Sequence, residues 1–240
     1  MTDWTFIFIA GLCLAIHFSF WFHSLSLTSV TTSVIIISLQ PVLLLVLTAM
    51  FFRERLSPGT MISMVIILIG MIVILGTDAK TNEAHLYGNI FAIGATIVIA
   101  LYSLIGMQVR KRISFITYTF LVYAFGSLSL IFYNVSTSSV SVQYPIHYLV
   151  ILIALAVVPT FLGHMLFNWS LKWVSASTIA FGNACVPVVA TALAYFILDE
   201  VVSISHWLGG AIAVFGLFLF VVSTSRKIQV TISEKTPNNL

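Results

Sequence analysis

Four side chains near the start of the chain could do chemistry together: His17, Trp21, Ser24 and Thr28. Their spacing of four, three and four residues puts them on one face of a helix. An imidazole can bind a ligand or take up a proton near neutral pH. An indole donates one N–H, and a hydroxyl both donates and accepts. The stretch that carries them, 17–41 (HFSFWFHSLSLTSVTTSVIIISLQP), is otherwise apolar enough for lipid, and it ends in Gln40-Pro41. A proline within a helix removes a backbone donor and frees a carbonyl in the preceding turn. Gln40 beside it offers a donor and an acceptor to a polar ligand, or caps the freed backbone groups.

A second copy of the stretch lies later in the chain. A constant offset of 146 (187 minus 41) relates Pro41 to Pro187, and the same offset relates Ser24 to Ser170, Glu54 to Glu200 and Gly70 to Gly216. His17 aligns with Gly163, one residue before His164, and Asn168 stands one turn from His164. Asn183 precedes Pro187 by one turn and invites the same two readings as Gln40. For His17 and His164 the readings are a cavity residue that binds cargo or carries a proton, and a helix–helix hydrogen bond that fixes packing. Tyr102 offers a hydroxyl to a ligand or is a buried tyrosine bonded to a carbonyl. The chain lacks a G-x-S-x-G elbow, an H-E-x-x-H pair and an acid placed to orient either histidine. Enzymatic chemistry is therefore not expected, and neither a cofactor nor a metal site is called for. Glu54 and Glu200 fall in turns at opposite membrane faces, so they cannot form an acid/base couple.

The elements that must position these residues follow from composition. The chain has 240 residues, 60% of them hydrophobic and 7% charged, against roughly 25% charged in a soluble domain. The apolar residues come in runs close to the ~20 needed to cross a bilayer. Eight spans are expected, at about 4–24, 29–52, 59–77, 87–109, 114–134, 146–169, 174–198 and 205–224. Polar loops are expected over 78–83 and 135–145, and a disordered cytoplasmic tail over 226–240. The fold class is thus all-α, a polytopic bundle in the lipid bilayer. The first run is too long for a signal peptide and reads as a retained span. Cys13 and Cys185 lie inside apolar runs and read as packing residues.

With both termini in the cytoplasm, Arg53, Arg55, Arg110, Lys111, Arg112, Lys172, Arg226, Lys227 and Lys235 lie inside and only Lys80 outside, as the positive-inside rule requires. These basic residues sit in short turns, so the net charge of +3 does not point to nucleic acid. Span one aligns with span six, an odd offset of five helices, so the second copy runs inverted across the membrane. Inverted repeats are the architecture of many secondary transporters, with a cavity near the midplane.

The ordered set His17-x3-Trp21, Leu25-Ser26-Leu27-Thr28-Ser29-Val30, Gln40-Pro41 and Glu54-Arg55-Leu56, then Gly163-His164-x3-Asn168-Trp169, Pro187, Glu200 and Gly209-Gly210, resembles the EamA-like family of the drug/metabolite transporter superfamily. That resemblance implies a secondary transporter, most often an exporter of the cytoplasmic membrane. In the cavity reading of the residues, a small-molecule cargo is expected at His17, Trp21, Gln40, Tyr102, His164, Asn168 and Asn183. No span carries Lys, Arg, Asp or Glu, so a neutral, zwitterionic or amphipathic cargo is expected rather than a sugar phosphate. The resemblance also implies ten spans in two five-helix repeats, so that residues 1–78 would be a partial first repeat of three spans and 87–225 a second of five, without the two spans expected ahead of His17's helix. An eight-span bundle short of that wall would leave His17, Thr28 and Gln40 toward lipid unless a partner chain covered them. A homo-oligomer and a non-transporting scaffold therefore stand beside the working carrier.

Overall fold

In lipid no water is at hand to satisfy backbone N–H and C=O groups, so a chain this apolar crosses as helices. The computed structural model describes residues 2–52, 56–81, 83–137, 145–158, 176–200 and 203–235, and among them no strand occurs. The helices are α1 (Thr2–Leu27), α2 (Val30–Ile37), α3 (Gln40–Phe52), α4 (Pro58–Thr81), α5 (Glu83–Val109), α6 (Phe115–Ser136), α7 (Ile146–Leu155), α8 (Ala176–Leu198) and α9 (Ile204–Lys235). Six stretches among them are long and apolar enough to cross a membrane, counting α2 and α3 as one. Helices α7 and α8 fall within the two further expected spans, parts of which lie outside the described residues.

Two boundaries differ from the sequence reading. The expected loop at 78–83 is mostly helix, because α4 runs on to Thr81 and α5 starts at Glu83. Helix α9 continues to Lys235, so the first part of the expected disordered tail is helical. No glycine or proline interrupts residues 226–235, and extending an anchored helix costs far less than nucleating one.

Contacts between turns fix the alternation of the spans. Arg112 Nη1 lies 3.4 Å from Asp3 Oδ1, which sets the turn after α5 beside the start of α1. Ser57 Oγ, in the turn after α3, is 3.2 Å from Ser223 Oγ of α9. Val30 N donates to Glu200 Oε2 at 3.0 Å, which sets the turn after α8 beside the start of α2. Each pairing is the one that eight alternating spans demand.

The bundle has two apolar cores. One joins Ile7, Ala10 and Leu14 of α1 to Val109 of α5 and to Tyr118 and Val122 of α6. The other joins Ile35, Ile36 and Val42 of the α2–α3 span to Ile67, Met71 and Ile74 of α4 and to Ala213, Leu217 and Phe220 of α9. Without a hydrophobic drive between helices in lipid, close backbone approach has to supply the attraction. A Cβ added at Gly70 of α4 would stand 2.6 Å from both Ala213 N and Gly209 O of α9. The outward side chains are apolar, with Ile116 79% and Phe196 78% exposed; such surfaces suit lipid rather than water.

Candidate functional site

Helix α5 positions the first group. His17 Nδ1 lies 2.9 Å from Ala95 O and is buried. A carbonyl only accepts, so Nδ1 carries the proton, and Nε2 of the neutral ring keeps its acceptor. Trp21 stacks beside His17, centroids 5.9 Å apart at 28°, and its Nε1–H is buried with no partner among the described residues. The other two residues of this face are spent on packing. Thr28 Oγ1 donates to Asn89 Oδ1 of α5 at 2.9 Å, and Ser24 Oγ is 3.0 Å from Ser33 Oγ of α2. His17 and Thr28 are 6% and 8% exposed. The expectation that they could face lipid is therefore corrected: α5 covers them, because its small residues Gly88 and Ala95 admit the α1 stretch at close range. A Cβ at Gly88 would meet Thr28 N at 2.8 Å.

The second group sits at a break. The expected continuous span 29–52 is two helices, separated at Ser38-Leu39. Pro41 thus stands in the first turn of α3, where a missing N–H costs least, and the Ile37 carbonyl lacks the donor that residue 41 would supply in an unbroken helix. Ser38 Oγ donates to Ile35 O at 2.6 Å, and Leu39 N to Ile36 O at 3.1 Å, a tightened last turn. Thr96 Oγ1 of α5 donates to Ala92 O at 2.6 Å, with Ile36 O at 3.3 Å. Gln40 does not cap the backbone; its Nε2 donates to Ser103 Oγ of α5 at 2.9 Å, and Ser103 donates on to Ile99 O. Gln40 Oε1 keeps its acceptor capacity. In the second copy Ser38 and Gln40 correspond to Ala184 and Val186, and α8 passes through Pro187 unbroken. The polar side chains flanking the break exist in the first copy alone.

Tyr102 is half-buried and packs against the α1–α5–α6 core, its ring stacked on that of Tyr118 at 6.4 Å. It lies seven residues from Ala95 and so on nearly the same face of α5. The structure therefore gathers His17 with Trp21, sets Gln40 against Ser103, and hangs both groups on α5. The spacing from Ala95 to Ser103 corresponds to about 12 Å of helix. Asn183 lies in α8, and nothing is described of its side chain; His164 and Asn168 lie outside the described residues.

Sequence reasoning missed two features. A groove of about 510 Å³ runs between α2, α8 and α9, lined by Thr31, Ile35, Cys185, Thr191, Trp207 and Gly210 among others and, of the candidates whose side chains are described, by none of His17, Trp21, Gln40 and Tyr102. Glu200 grips the start of α2 with both carboxylate oxygens, accepting from Val30 N at 3.0 Å and Thr31 N at 3.2 Å. Ser29 Oγ accepts from Thr32 N at 3.0 Å. The Ser29 cap before an apolar run is a readable helix-start signal; the distant carboxylate leaves no local trace.

The family model of the EamA-like transporter family matches residues 1–76 and 86–222, and the chain belongs to that family. An uncharacterized transporter of Archaeoglobus fulgidus is 24% identical over 188 residues, covering 78% of this chain and 66% of the relative. The uncharacterized transporter YxxF of Bacillus subtilis is 27% identical over 230 residues, covering 92% and 71%. YetK of the same organism, also an uncharacterized transporter, is 26% identical over 226 residues, covering 92% and 66%. The chain spans about two thirds of the length of these relatives. Family and relatives point to a membrane transporter rather than an enzyme.

Proposed function

We propose that this family member exports a small neutral, zwitterionic or amphipathic molecule across the cytoplasmic membrane, with both termini in the cytoplasm and alternating access between its two repeats. The observation that carries the reading is the broken span α2–α3, with Gln40 and Pro41 at the break and Gln40 held to α5. Discontinuous helices at membrane depth are tolerated where they are buried in protein or line a cavity, and in transporters they form the cargo site. His17 Nε2, Trp21 Nε1 and Gln40 Oε1 are polar atoms at these two groups with capacity left for a cargo, and Tyr102 lies on the same α5 face. In this reading the second repeat adds His164, Asn168 and Asn183. The absence of Lys, Arg, Asp and Glu from every span favours cargo without net charge, since a buried charge needs a partner.

The test is flux in proteoliposomes, comparing zwitterionic amino acids, amphipathic dyes and a sugar phosphate. Flux of one of the first two classes, reduced roughly tenfold by His17→Phe and by Gln40→Leu, supports the reading. Preferred flux of the sugar phosphate, or flux indifferent to both substitutions, overturns it.

A further inference from the structure

The clasp between Glu200 and α2 does more than finish a helix. Helix α2 is eight residues long, held at its start by Glu200 and ended by the break at Ser38-Leu39. The groove beside it has walls from different repeats: Thr31 and Ile35 from α2 on one side, Cys185, Thr191 and Gly210 from α8 and α9 on the other. Glu200 belongs to the turn that joins those last two helices, so its two hydrogen bonds tie the walls together at one end of the groove. Toward the break the walls meet again, where a Cβ at Gly210 would stand 3.1 Å from Ile35 Cδ1.

We infer that Glu200 is a gate: letting go of Val30 N and Thr31 N frees α2 to swing about the Ser38-Leu39 break and opens the groove between the repeats. This rests on the transporter reading and names the device that controls one face of it. Two observations favour a gate over a fixed staple. Ser29 caps Thr32 N independently, so α2 keeps its own cap when Glu200 leaves. Val30, at the end of the span, is only partly buried, so water can take over its N–H once Glu200 lets go.

The two native cysteines make the test. Cys185 lines the groove, whereas Cys13 sits on α1, which packs on α5 and α6 away from the clasp. Full-length protein in membranes is treated with a membrane-impermeant maleimide, and the labelling rates of the two cysteines are read separately by mass spectrometry. Removing hydrogen bonds to a charged group shifts an opening equilibrium by about tenfold or more. Glu200→Gln and Glu200→Ala should therefore raise Cys185 labelling about tenfold while Cys13 labelling stays at the wild-type rate. Unchanged Cys185 labelling overturns the gate. So does a parallel rise at both cysteines, which would make Glu200 a staple of the whole fold. Labelling needs no cargo, so either result leaves the transporter reading standing; absent flux alongside the expected labelling would count against that reading alone.

Discussion

The crossing of α4 and α9 permits a test in which one substitution, made twice in one helix, has opposite signs. At Gly70 a Cβ would meet backbone atoms of α9 at 2.6 Å, where ordinary contact begins at 3.4 Å. Backbone cannot rotate away, so Gly70→Ala must part the helices by about 0.8 Å (3.4 minus 2.6). A gap of that size forfeits roughly a quarter to a half of each dispersion contact it opens, and Ile67, Met71, Ile74, Ala213 and Leu217 share this seam. Overpacking of this kind costs about 1–3 kcal/mol, offset in part by the ~0.5–1 kcal/mol that alanine gains over glycine in a helix. The net expectation is a loss of about 1–2 kcal/mol. At Gly76, six residues on, an added Cβ meets nothing within 4 Å. Gly76→Ala should then show only the propensity gain, about 0.5–1 kcal/mol of stabilisation. Denaturant unfolding of both variants in one detergent is the assay. Equal stability of Gly70→Ala and wild type, or the same sign for both variants, would refute the claim that backbone approach at Gly70 holds α4 to α9.

Two further outcomes follow from the site. Thr28→Val removes the Thr28 Oγ1 donor to Asn89 Oδ1 and should cost about 1–3 kcal/mol; the same unfolding assay reads it, and stability equal to wild type would mean that this bond does not hold the end of α1 to α5. Pro41→Ala restores an N–H able to reach the Ile37 carbonyl and should close the break, raising thermal stability while lowering flux in proteoliposomes. Unaltered flux would show that the break is not what the carrier uses.

The helical bundle and the alternation of its spans were legible because composition and the length of the apolar runs are global signals. The polar face of His17, Trp21, Ser24 and Thr28 was legible too, but how its members divide was not. Ser24 and Thr28 are consumed by Ser33 and Asn89, residues that local spacing cannot pair with them. His17 bonds a backbone carbonyl, and no side chain advertises a carbonyl. The break at Ser38-Leu39 was half-legible. Pro41 marked the place, yet Pro187 at the equivalent position leaves α8 whole, so proline alone does not decide. What differs is the flanking chemistry, Ser38 and Gln40 against Ala184 and Val186. Hydroxyl and amide groups can leave the helix ladder for partners of their own, and the apolar pair cannot.

That asymmetry bears on which part moves. Helices α1, α5 and α6 share one core; α4 and α9 share the other with the α2–α3 span and with Ala92 of α5, and each is tightened by backbone approaches that resist gradual deformation. The α2–α3 span lies between them: α2 and α3 both pack on α5, while α2 also meets α8 and α9. Its bonds to the first body are few and neutral: Gln40 to Ser103, Thr96 to Ile36, and Ser33 to Ser24 of α1. Interhelical hydrogen bonds in membrane proteins average only about 0.6 kcal/mol, so these can be exchanged at little cost. The bond to the other repeat is the charged, two-pronged one at Glu200. A rigid span between two rigid bodies would have to break its whole interface for either body to rock. A span broken at its middle can yield at Ser38-Leu39, so that α2 moves with Ile35 and Ile36 while Val42 of α3 keeps its place in the core, and in the proposed gate the clasp at its end sets when it yields.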